Sequence, residues 1–235
     1  MSLLPWIKDE KLFEEVTQLL DIAGKAQLKA DKRFKSNIID PFSAIFEMSG
    51  FDLDYNEWER NEKIRQAQKT LQNHIGEFHQ NILGVSIGWE NKKVGNVIDL
   101  FSESNKIIAE VKNKYNTISG GKLSDLYYSL DRLISPKTSI YKGYTAFYVS
   151  IIPKKSKRYN CTFVPSDKEK RERCPSNEHI REIDGASFYS LVTGVDSALE
   201  NLFDVLPEVI EFCSKREYIF QNRTKLKDFF TSAFG

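Results

Sequence analysis

Residues 144–152, YTAFYVSII, run apolar without the polar alternation of a half-wet strand. A strand of that kind has to be covered on both faces, which is the position of a central strand in a layered α/β protein. Its neighbours fit that demand. VSIGWE at 85–90, GNVIDLF at 95–101 and KIIAEVK at 106–112 are short β-branched runs separated by polar turns, Glu103-Ser104-Asn105 among them, and read as adjacent strands. Residues 122–134 return to helical spacing, with Ser124 as the expected N-cap. NCTFV at 160–164 reads as a further strand, a charged loop follows, and residues 196–215 read as the last helix.

Everything before residue 85 has a different period. Residues 7–30 space Leu12, Phe13, Val16, Leu19, Leu20 and Ile22 at near-helical intervals, SAIFEMSG forms a short helix ended by Gly50, and 56–83 form a long polar helix closed by Gly84. The expected fold is therefore α/β, a mixed sheet flanked by helices, with a helical N-terminal third. A single domain over 1–235 is expected, divided into a helical part at 1–84, a sheet core at 85–165, and a loop and C-terminal helix at 166–235.

Charge and cysteine usage narrow the function. The net charge is +1, so a nucleic-acid footprint would have to be local. No segment reaches the about 18 apolar residues of a membrane span, and the N-terminus lacks the pattern of a secretion signal, so a cytoplasmic location is expected. The three cysteines lack the close pairing of a disulfide framework. Cys161, Cys174 and His179 could be drawn as zinc ligands, although a fourth ligand is missing.

One constellation carries chemistry. Asp99 ends one expected strand, and Glu110-Val111-Lys112 lies on the next. Alternate residues of a strand share a face, so Glu110 and Lys112 point together while Val111 points into the core. Two carboxylates from adjacent strands, with the Val111 carbonyl, offer oxygen ligands to a hard divalent cation such as Mg2+. Phosphodiester hydrolysis needs an activated water and stabilised negative charge, and a lysine beside the carboxylates can orient that water or pair with the phosphate. The alternative is a turn-capping Asp99 and a solvated Glu110–Lys112 pair on a strand edge.

The run NVIDLF…IIAEVKNKYNT resembles the PD-(D/E)xK nuclease superfamily, with Ile98 where the nominal motif has proline. EVKNKYNT, HIGEFHQNILG, NIIDPFS and IDGASFYSLVTG are similar to type II restriction endonucleases that cut GGWCC or GGNCC sites. That resemblance implies a restriction-endonuclease-like core, Mg2+-dependent cleavage of double-stranded DNA, a homodimer reading a symmetric site, and a cognate DNA methyltransferase in the same system. Other nucleases of the superfamily, acting on junctions or repair intermediates, and a DNA-binding module with a relic site are the alternatives.

Several residues are candidates for supporting roles. Glu77, on the helix before the sheet, could reach the metal or be merely solvated. His74 and His79 read as packing or hydrogen-bonding residues. Lys114 shares the face of Lys112 if the strand persists, and Asn116 and Lys122 follow it around Ser119-Gly120-Gly121, where a helix N-terminus attracts phosphate. Lys154, Lys155, Lys157 and Arg158 form the densest basic patch, and Arg173 and Arg181 lie in a charged segment that could read bases; exposed surface is the alternative for each. Asp184, Gly185, Phe188 and Tyr189 read as turn and core residues.

Overall fold

The computed structural model of the chain describes residues 2–92, 97–215 and 222–235. Four helices come first: α1 (Asp9–Leu28), α2 (Ala30–Ser36), α3 (Pro41–Gly50) and α4 (Tyr55–Gly84). Then follow β1 (Glu90–Asn91), β2 (Leu100–Ser102), β3 (Ile107–Lys114), α5 (Leu123–Ile134), β4 (Thr145–Ile152) and β5 (Asn160–Thr162). The chain ends with β6 (Ser166–Asp167), β7 (Glu172–Arg173), β8 (Ile180–Asp184), α6 (Gly185–Thr193), α7 (Ala198–Ser214) and α8 (Arg223–Phe234).

Among the described residues the main sheet has the order β1-β2-β3-β4-β8-β5, and β6 and β7 form a separate hairpin. β2 and β3 are antiparallel, β3, β4 and β8 are parallel, and β5 runs antiparallel to β8. The sheet is mixed and flanked by helices, as expected. β4 is central, and Ala146–Ile151 are all buried. Ala146 and Tyr148, with Ile108 and Ile180, pack against Tyr127, Leu130 and Ile134 of α5. Phe147, Val149 and Ile151, with Ala109, Val111 and Ile183, join Leu12, Val16, Phe78, Ile82, Phe188 and Leu202 from the opposite layer. This double cover explains why the β4 sequence does not alternate.

Caps define the helices beside the sheet. Asp54 and Glu57 form a reciprocal capping box at the start of α4. Asp40 accepts from the amides of Phe42 and Ser43 ahead of α3, with Pro41 in the first turn, where its missing N–H costs nothing. Asp184 is buried at the end of β8 and accepts from Ser187 N at 2.9 Å and Tyr159 N at 2.6 Å, tying α6 and the β5 lead-in to one carboxylate.

The structure corrects several boundaries. Of VSIGWE only Glu90 enters the ladder, because Gly88, at φ 81°, turns the chain. In the expected strand 95–101, Val97–Asp99 lie outside β2, and Gly95 and Asn96 lie outside the described residues. Ser124 is not a cap; it is buried inside α5, which is entered through a 3-10 turn at Gly120–Lys122. The expected strand 160–164 stops at Thr162, and the charged loop contains the β6–β7 hairpin. The first helix breaks at Lys29 to begin α2.

α8 goes beyond the sequence reading, although Leu226, Phe229, Phe230, Ala233 and Phe234 have helical spacing. It docks on α7 through Phe230 against Phe203, at 4.9 Å between ring centroids, and through Lys227 to Asp204 at 2.7 Å. No helix among the described residues is long and apolar enough to cross a membrane.

Gly185 lets α6 start against β4. A Cβ there would lie 2.6 Å from the Ile151 Cα, a backbone contact that cannot swing aside. Gly185→Ala is therefore expected to lower stability by about 1–3 kcal/mol or more in urea unfolding, the range for overpacking; an unchanged midpoint would refute this account of the junction.

Candidate active site

The site forms where β2 parts from β3. Leu100 is the last β2 residue paired in that direction, opposite Ala109, and the Asp99 amide donates to the Ala109 carbonyl at 2.9 Å. From there side chains replace the neighbouring backbone. The Val111 amide donates to Asp99 Oδ2 at 2.8 Å, and the Val111 carbonyl accepts from Gln80 Nε2 of α4 at 3.2 Å. The Asp99 carbonyl in turn accepts from the Lys92 amide at 2.8 Å, which fixes the residue from its other side. A fork held in this way keeps a carboxylate and a peptide carbonyl together without closing the ladder over them.

Strand alternation supplies the other members. Glu110 and Lys112 share the side of β3 that carries Ile108, while Val111 packs into the opposite core. Lys112 Nζ lies 2.5 Å from Glu110 Oε1 and 3.7 Å from Asp99 Oδ2. The three are recessed but reachable, with side-chain exposures of 14% for Glu110, 21% for Asp99 and 25% for Lys112. Thus the sequence-predicted triad is brought together.

Burial, and then the negative charge of Asp99, push the Glu110 carboxyl up to about 7, against the opposing pull of Lys112. Burial alone would favour loss of the Lys112 proton, but the Glu110 and Asp99 charges outweigh it and hold the ammonium above the ordinary lysine value. In the metal-free protein Lys112 is accordingly a cation filling the space between two carboxylates. The donor set is entirely oxygen: Asp99, Glu110 and the Val111 carbonyl. That chemistry fits a hard divalent ion with water and phosphate completing its shell.

Other expected residues are placed less centrally. Among the described residues no three His, Cys, Asp or Glu side chains gather as a metal cage, so Glu77 is not assembled with Asp99 and Glu110, and Cys161, Cys174 and His179 do not form such a set. Glu77 is 55% exposed, with its Oε2 2.6 Å from His74 Nδ1. His79 is buried beside the Tyr189 hydroxyl at 2.7 Å, and burial lowers its pKa to about 4, leaving a neutral packing residue.

The basic candidates divide into two groups. Because β3 and β4 are parallel, the segments leaving their ends emerge at the same edge of the sheet. Lys114 is the last residue of β3, on the Lys112 side; Asn116, Lys122, Lys154, Lys155 and Lys157 are exposed in the segments beyond. Arg158 instead donates to the carbonyls of Ala186 and Asp196, at 3.0 and 3.1 Å, and to the Ser190 hydroxyl, anchoring its loop to α6. Arg181 donates to Asn160 Oδ1 at 2.7 Å and to the Asn160 carbonyl at 2.9 Å, stitching β8 to β5. Arg173 is exposed on β7, in the hairpin that Lys170 holds to Tyr128 of α5 at 2.8 Å.

Sequence reasoning missed Gln80 and Tyr148. Gln80 lies on the polar α4, where no local pattern points a glutamine toward β3. Tyr148 stands opposite Glu110 in the β4 register, and burial pushes its phenol above the ordinary value. The only signal for it was a hydroxyl-bearing side chain within the β4 run.

The family model described as "Eco47II restriction endonuclease" matches residues 4–214. The chain is 54% identical over 212 residues to "Type II restriction enzyme Eco47II" of Escherichia coli, covering 90% of this chain and 88% of the relative. It is 33% identical over 213 residues to "Type II restriction enzyme Sau96I" of Staphylococcus aureus, covering 88% of this chain and 80% of that relative.

The Glu110 shift has a stability consequence. A carboxyl whose folded pKa is raised makes the native state bind the proton more tightly than the unfolded chain does. The metal-free protein is therefore expected to lose stability as pH rises from about 4.5 to about 7, with the loss complete above the folded value. Thermal melts in EDTA across that window should show the decline, and Glu110→Gln should flatten it; a wild-type profile with the opposite slope would refute the assignment.

Proposed function

Because the chain belongs to the Eco47II restriction endonuclease family, we propose that Asp99, Glu110 and Lys112 are the catalytic centre of its DNA cleavage. The enzyme is a type II restriction endonuclease, a site-specific deoxyribonuclease of a restriction system. The observation that carries the residue assignment is the strand fork, where Asp99, Glu110 and the Val111 carbonyl converge beside Lys112. Asp99, Glu110 and Val111 would hold Mg2+, which when bound supplies charge neutralisation at phosphorus and a more acidic water. Glu77 remains a proposed fourth ligand, requiring its carboxylate to turn away from His74.

The roles of the protein groups follow from their charges. Asp99 holds the Val111 amide on the edge of β3 from which the Val111 carbonyl also projects into the fork. Gln80 steadies the same carbonyl from α4. Lys112 reaches the scissile phosphate as an ammonium. As that ammonium, held charged by Glu110 and Asp99, Lys112 would also orient the attacking water beside the phosphate.

Lys114, Asn116, Lys122, Lys154, Lys155 and Lys157 would follow the DNA backbone along the shared sheet edge, and Arg173 would extend that contact through the hairpin. Arg158 and Arg181 would act chiefly by holding the loops that present those residues. We further propose a partly palindromic site of the GGNCC or GGWCC type, a homodimer with one centre per subunit, and a cognate methyltransferase protecting the same sequence. A symmetric DNA site matches a two-fold symmetric reader.

Plasmid digestion with Mg2+ and with EDTA, followed by sequencing of the ends, tests this reading. Discrete fragments with common ends are expected only with the metal; uniform cutting in EDTA would overturn it. Lys112→Ala should reduce the cleavage rate by roughly 10²–10⁴-fold, the scale of a lost catalytic group, while sequence-specific binding in calcium persists in a gel-shift assay. A variant that cuts at the wild-type rate would remove Lys112 from the mechanism.

A further inference from the structure

α3 presents apolar surface in two directions. Ala44 is buried, and Glu47 beside it accepts from Trp58 Nε1 of α4 at 2.9 Å, so this face meets the body of the molecule. Phe42, Ile45 and Phe46 stand at i, i+3 and i+4 on another face and are exposed by 73%, 61% and 75%. Ile38 before the helix and Phe51 and Tyr55 after it extend the exposed surface. A helix at a protein surface normally turns polar side chains outward, and a second apolar stripe signals a second packing partner.

We propose that this stripe is the homodimer interface, with α3 of one subunit packed antiparallel on α3 of a second copy about a two-fold axis. The proposal rests on reading the chain as a symmetric double-strand cutter. Two properties of the surface favour a second copy as its occupant. An aromatic side chain carries about 150–250 Å², so the exposed aromatics with Ile38 and Ile45 approach the about 800 Å² that each partner contributes to a standard interface.

The second property is charge. The lead-in through α2 carries Lys32, Arg33 and Lys35 against Asp31 and Asp40, three basic to two acidic residues, whereas the segment leaving α3 carries only Asp52 and Asp54, both exposed. An antiparallel two-fold arrangement sets the lead-in of each subunit, on balance basic, toward the acidic lead-out of the other. It also opposes the helix dipoles favourably. Such a patch is self-complementary, as an isologous interface requires.

Light scattering on a gel-filtration column tests the assignment. Wild type should have about twice the 27.2 kDa mass of one chain, and Phe42→Glu/Phe46→Glu should elute at the single-chain mass with an unchanged circular dichroism spectrum and a melting temperature that no longer depends on protein concentration. Ile45→Cys, in the middle of the stripe, should give an oxidised covalent dimer absent from wild type. A glutamate variant that keeps the double mass, or a cysteine variant that does not cross-link while wild type is dimeric, overturns the interface. A single-chain wild type also overturns it; loss of DNA retention in the glutamate variant would then identify the stripe as a DNA contact. Cleavage separates the two readings: a wild type that dimerises through α3 but leaves every plasmid intact retains the interface and sinks the nuclease assignment.

Discussion

Where β2 turns away from β3, the Val111 peptide would have no partner for its amide on that side; the Asp99 carboxylate takes the place of the missing strand. An unpaired buried amide costs about 1–3 kcal/mol, so the hydrogen bond stabilises the fork as well as placing a negative charge in it. The same requirement orients the neighbouring groups. With Val111 held, strand geometry directs Glu110 and Lys112 to the opposite side of the sheet from the Val111 side chain, and the Val111 carbonyl faces Gln80. The proposed catalytic arrangement thus grows out of satisfying the Val111 amide at an open strand end.

The fork concentrates like charge in a half-buried recess, which a protein selected for stability alone would avoid. Burial first and the Asp99 charge second penalise ionised Glu110, and the Lys112 ammonium offsets them only in part, since Glu110 still binds its proton up to about pH 7. The surrounding packing tolerates this strain. Ala109 and Val111 anchor β3 in the apolar layer with α4, while Ile108 anchors it against α5, so the charged residues occupy a strand already fixed at alternate positions. The carboxylates proposed to hold a divalent cation are thus carried on a strand packed on both faces.

How much of this was legible depended on the range of the interactions involved. Glu110 and Lys112 were readable because a strand's period is local, and β4 because no surface strand tolerates its composition. Asp99 was readable once a hairpin was assumed. Gln80 was harder: its bond to Val111 joins residues 31 apart in the chain, and nothing local directs a glutamine of α4 toward β3. Arg158 and Arg181 were misleading for the same reason. A basic cluster looks alike in sequence whether it faces solvent or binds the carbonyls of Ala186, Asp196 and Asn160, and only the tertiary fold distinguishes the cases. The start of α5 went astray because Ser124 matches a cap chemically, whereas the 3-10 turn places the true entrance earlier.

The parallel arrangement of β3, β4 and β8 gives these parts a common direction. Each strand delivers its C-terminal end to one edge of the sheet: Lys112 and Lys114 on β3, the lysine-bearing loop after β4, and α6 after β8. Arg158, bound to α6, and Asp184, bound to the amides of Tyr159 and Ser187, lock the second and third of these to each other. The lysine loop is consequently carried on a braced support, although its lysines themselves remain exposed. A duplex laid along that edge would meet exposed positive side chains on a braced backbone, and the fork at β3 would lie within the same contact. On the proposed function, phosphate attraction and cleavage would share one frame, because the interactions that brace the loop also fix its position relative to the strand that carries Glu110 and Lys112.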